Sequence, residues 1–166
     1  MIRVTAAAAK NISSVMEHNK IPKDEFRPIQ LLNHAKAWYT VYLLSLDRGY
    51  YPMSLYHAHV CFEFILKSYL ASISGTQITT RFLKEYNHNL GTILKKIDAD
   101  NNASSQIKDN LNRFYNKYKF FSAKQESFKY IPIGTGLELL LDPISEFVSI
   151  FKTLDAEYSK KLDVDN

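Results

Sequence analysis

The sequence is short of the residues that build disulfide frameworks, membrane spans and loop-rich folds. Its 166 residues include one cysteine, Cys61, which has no partner for a disulfide and cannot form a cysteine zinc site. A reduced, cytoplasmic setting is the expectation. Five glycines and five prolines are too few for a disordered or turn-dominated chain. No apolar run approaches the roughly 20 residues of a membrane span, so no membrane association is expected. The amino terminus, MIRVTAAAAKNISSV, lacks the apolar core of a signal peptide. No segment alternates with period two for long enough to build a sheet, and no internal repeat is visible.

Aromatic residues, by contrast, are plentiful: eleven Tyr, ten Phe and one Trp, in a chain that is 46% hydrophobic. That length and content suit one domain that buries roughly 70% of its unfolded surface around an aromatic core. The spacing of apolar residues predicts helices. From Tyr51 to Ser74, the residues Leu55, Ala58, Phe62, Ile65, Leu66, Tyr69 and Ile73 recur at intervals of three and four and line one side of a helix. Pro52 suits its first turn and Gly75 its left-handed end. A preceding helix opens at Pro28 and runs to about Arg48, with Ile29, Leu32, Ala35, Trp38, Tyr39, Tyr42, Leu43 and Leu46 as its stripe. The short link Gly49 to Pro52 makes the two antiparallel neighbours. Further helices are predicted near 81–86, over 90–97 with Asn89 as a cap, over 106–121, and from Pro143 to about Lys160. The expected fold is an all-α, up-and-down bundle of four to five main helices. Residues 1–25 are read as an arm or short helix, and residues 26–162 as a single bundle domain.

Charge is unevenly placed. Between Lys108 and Lys129 six basic residues face Asp109 and Glu126, a surplus that equals the whole chain's formal +4. Arg113, Lys117, Lys119, Lys124 and Lys129 alternate there with Phe114, Tyr115, Tyr118, Phe120, Phe121 and Phe128. This mixture suits phosphates and stacked bases, and equally an apolar protein interface. Glu63 and Lys67 are an i, i+4 pair, read either as a surface ion pair or as a buried structural one. Cys61 as a nucleophile would need a base such as His57, four residues earlier; a small buried thiol is the ordinary outcome. His57 and His59, two apart on one helix, cannot chelate together, so no metal ligands are assigned and no cofactor is expected. Gly134 and Gly136 fit no phosphate-loop pattern.

Three stretches resemble the HEPN superfamily (higher eukaryotes and prokaryotes nucleotide-binding domain). Gly49-Tyr50-Tyr51 followed by HAHVCFEFILKSYLA is similar to its second long helix, with Glu63 and Lys67 at positions where the family carries a Glu and a Lys. His88-Asn89-Leu90 resembles its His-x-Leu turn, and Leu111-Asn112-Arg113-Phe114-Tyr115 its aromatic helix. The resemblance implies a helical bundle, usually a homodimer, whose members act as RNases in toxin–antitoxin, phage-defence and RNA-processing systems, bind nucleotides, or mediate assembly. A cognate antitoxin or other partner protein is implied for some.

Nuclease members carry an Arg-x4-6-His motif, in which His serves the ribose 2′-hydroxyl as acid or base and Arg stabilises phosphorane charge without a metal. Arg81-x6-His88 and Arg27-x6-His34 have that spacing, while Arg113 is followed by no histidine. Arg81 and His88 are the catalytic candidates, since His88 falls at the family-like turn. Asn-His-Asn is also ordinary turn chemistry. Two readings follow: an RNA- or nucleotide-directed module, with or without metal-independent endoribonuclease activity, or a non-catalytic dimeric module that binds a protein partner.

Overall fold

The computed structural model describes residues 27–86, 88–118 and 141–164, and side chains as far as 160. The arm at 1–25 and the Gly134 and Gly136 segment lie outside them. Among the described residues six helices follow in order: α1 Pro28–Asp47, α2 Tyr51–Ser74, α3 Thr80–Glu85, α4 Leu90–Ala99, α5 Ser105–Lys117 and α6 Pro143–Val164. Their ends carry the expected chemistry. Pro28 and Pro52 lie in first turns, where a missing N–H costs nothing. Gly75 closes α2 at φ +60°, which a side chain would resist. Thr79 and Asn89 cap α3 and α4 by accepting the N–H of Phe82 and Thr92.

Side-chain contacts fix the packing direction. Along α1 and α2, Ser45 meets His57, His34 stacks on Phe64, and Ser68 donates to the Pro28 carbonyl at 2.7 Å, so the two helices run antiparallel. On α6, Asp155 meets Lys36 while Phe147 meets Tyr42, again the reverse order. Phe62, Phe114 and Phe147 join α2, α5 and α6, with ring centroids 4.6 and 4.8 Å apart. The fold is all-α, an up-and-down bundle around α2.

Three features differ from the sequence reading. α2 is no simple amphipathic helix: seventeen of its twenty-four residues are buried, including His57, His59, Glu63, Lys67 and Ser68. A helix wrapped on all sides must carry its polar groups into the core and satisfy them there. Trp38 stays half-buried at the rim of α1, edge-on to Tyr56 and 5.5 Å from the His57 ring, because so large a ring seldom disappears entirely. α5 ends at Lys117, short of the expected 121, because Tyr118 turns inward and its hydroxyl donates towards Asp142 and Glu146.

Candidate functional site

The polar stripe of α2 converges on one carboxylate. His59, Glu63 and Lys67 recur every four residues and so share a side of the helix. Glu63 and Lys67 are each only 4% exposed, which makes theirs a buried pair and not a surface one. The Lys67 ammonium donates to Glu63 Oε1 at 2.6 Å and to the Leu83 carbonyl of α3 at 3.1 Å. Glu63 Oε2 lies 2.8 Å from His88 Nδ1 and 3.9 Å from His59 Nε2.

His88 reaches Glu63 from the turn between α3 and α4, where its backbone adopts φ +50°. This left-handed conformation costs a non-glycine residue about 1–2 kcal/mol. Here it returns the ring to α2. A carboxylate only accepts, so His88 donates its Nδ1–H to Glu63, which leaves the Nε2 lone pair on the ring's other edge. The side chain is 46% exposed, against 6% for that of Glu63. A buried carboxylate and an oriented, half-exposed imidazole are an arrangement that can serve acid–base chemistry, with the ammonium of Lys67 balancing Glu63.

Arg81 is exposed on α3, along a shallow depression lined also by Thr80, Lys84 and Glu85. α3 ends at Glu85, so Arg81 and His88 do not share one continuous helix. In the other spacing, Arg27 flanks the start of α1 while His34 stacks on Phe64. The thiol of Cys61 is fully buried and its pKa is raised by that burial. His57 turns instead to Ser45, whose hydroxyl donates to the Val41 carbonyl and so accepts the His57 Nδ1–H at 2.7 Å. Nothing there activates Cys61.

The basic-aromatic segment is divided. Phe114 and Tyr118 are 1% and 2% exposed, so they serve the core and not base stacking. Lys117 is held by Glu146 Oε1 at 2.8 Å and Asp142 Oδ2 at 2.9 Å, and its hydrogen bonds to Glu146, then Tyr118 and Asp142, raise its pKa. The same contact with Lys117, and then the Tyr118 hydroxyl, lower that of Asp142. Arg113 is exposed and donates to Asn110 at 3.0 Å. Lys119, Lys124, Lys129, Phe120, Phe121 and Phe128 lie outside the described residues.

The HEPN domain model matches residues 30–131, which takes in α1 to α5 and the whole Glu63–Lys67–His88 cluster. The chain belongs to the HEPN domain family. Comparisons with curated proteins and with solved structures found no match. HEPN membership supports a nucleotide-binding or RNase-like module in general terms, and no described helix is long and apolar enough to cross a membrane. His59 joins this cluster and not His57, which lies two residues away on another side of α2. The signal that finds it is the His59-x3-Glu63-x3-Lys67 stripe.

Proposed function

We propose that this HEPN protein acts on RNA or a nucleotide, with His88 as general acid–base and Glu63 as the residue that positions it. The observation that carries the reading is the 2.8 Å bond from a half-exposed imidazole to a buried carboxylate. Arg81, on the neighbouring helix α3, is assigned to the phosphate. His88 Nε2 takes the proton of a ribose 2′-hydroxyl as the oxygen attacks the adjacent phosphorus. Returned to the leaving 5′-oxygen, that proton completes the acid–base cycle. Lys67 binds no substrate in this scheme. It holds Glu63 in place inside the core through its 2.6 Å hydrogen bond to Oε1.

RNA cleavage by wild type, His88→Ala and Arg81→Ala at equal folded concentration tests this. Loss of about a hundredfold or more in His88→Ala is expected. Undiminished activity in both variants would exclude the pair. The toxin or phage-defence setting is part of the same proposal, and a nearby antitoxin gene would support it.

A second reading is favoured by the surface at the α1–α2 turn. Val41, Leu44, Tyr50 and Met53 are exposed there, Tyr50 to 63%. We infer that this face serves a homodimer or a partner protein, in keeping with HEPN domains commonly dimerising. Ligand binding that survives added salt would favour this non-catalytic module, whereas phosphate contacts weaken steeply.

A further inference from the structure

We propose that His59, Glu63 and His88 form a binding site for a divalent transition ion of the zinc class, and that the ion competes with the acid–base role of His88. His59 Nε2, Glu63 Oε2 and His88 Nδ1 all lie within 4.8 Å of one another. Ligand atoms on a tetrahedral ion with bonds of about 2.0–2.1 Å stand roughly 3.3 Å apart. The observed 2.8 Å between Glu63 and His88 and 3.9 Å between Glu63 and His59 bracket that value. Small side-chain rotations therefore bring the three donors to an ion.

Two imidazole nitrogens and one carboxylate oxygen suit zinc, whereas magnesium and calcium prefer oxygen alone. Two of the ligands come from one helix at i and i+4, both buried, so their separation is fixed by α2 itself. The third comes from a turn held at φ +50° and reaches solvent. It supplies the entry path and leaves a fourth position open. Lys67 occupies Glu63 Oε1 at 2.6 Å, so Glu63 offers the ion a single oxygen in a set orientation. The opposite charges of Glu63 and Lys67 cancel, so the ion's double charge favours an anionic fourth ligand such as hydroxide or phosphate.

Zinc takes the lone pair of His88 Nδ1. The Nδ1–H bond to Glu63 is then broken and the ring proton moves to Nε2, where the base was. The zinc-loaded protein is therefore inactive in any reaction that needs His88 as a base. This consequence rests on the function proposed above; the ion site does not.

The test is zinc binding by the full chain without a polyhistidine tag, measured by competition with a chromophoric chelator. Visible absorption of cobalt(II) as a four-coordinate surrogate gives a second readout. One equivalent is expected on wild type and on His34→Ala, with affinity reduced at least about a hundredfold in His88→Ala, more than loss of an outer-shell group costs. His88 is half-exposed, so this variant should fold even where Glu63→Gln or His59→Gln does not. Wild type that leaves all the zinc on the chelator overturns the proposal. So does tight binding that His88→Ala leaves unchanged, since the ion would then sit elsewhere. Both readouts are independent of cleavage, so an inactive protein that binds zinc separates failure of the catalytic reading from failure of the ion site.

Discussion

Replacing Lys67 with methionine tests whether the centre of the bundle depends on a buried charge pair. The change keeps most of the side-chain volume and removes the ammonium that sits 2.6 Å from Glu63 Oε1. Were the pair exposed, an i, i+4 contact would contribute about 0.3–0.5 kcal/mol. It is not exposed: the Lys67 and Glu63 side chains keep 5% and 6% of their surface. Glu63 would be left with an uncompensated charge beneath α3, and breaking one partner out of a buried pair costs about 3–5 kcal/mol. For a domain of this size that corresponds to a fall in Tm of about 6–20 °C. Glu63→Leu combined with Lys67→Met removes both charges, and half-exposed His88 can turn to water. The double variant should lie within about 1 kcal/mol of wild type, or be more stable. Urea denaturation of the wild type, both single variants and the double variant gives the coupling directly. A cost below about 1 kcal/mol for Lys67→Met, or a double variant as unstable as the single, would refute the reasoning.

Phe62→Ala should cost about 3–5 kcal/mol in the same assay, because the ring is fully buried and packs 4.6 Å from Phe114. Burial lowers the pKa of His57 from 6.5, so the unfolded chain binds that proton more readily than the folded one. Its share of stability is therefore complete above about pH 6.5 and lost as pH falls below it, and denaturation at several pH values should show a shallower slope for His57→Gln. Gly75→Ala meets no neighbouring atom but must hold φ +60°, so a loss of about 1 kcal/mol is expected without any packing defect, read as a small drop in Tm. Sedimentation should show a dimer at tens of micromolar, and Tyr50→Lys should shift it towards monomer; a wild-type monomer would remove the homodimer reading.

The sequence alone determined the helices, because helix formation is largely local. Apolar residues at three- and four-residue intervals, Pro28 and Pro52 in first turns, and Gly75 and Asn89 at ends predict α1, α2 and the start of α4. The HEPN resemblance was legible for the same reason, being carried by short runs within those helices. Burial was not, since it depends on what packs around a helix. Glu63 and Lys67 read equally well as a surface pair until α3 and the turn before α4 covered them. Lys117, Phe114 and Tyr118 read as ligand-facing until α6 brought Asp142, Glu146 and Phe147 against them. His88 stands 25 residues from Glu63, and no spacing rule links them. Only the left-handed turn at His88 places its ring on that carboxylate, because contact between distant residues is set by the direction in which the chain returns.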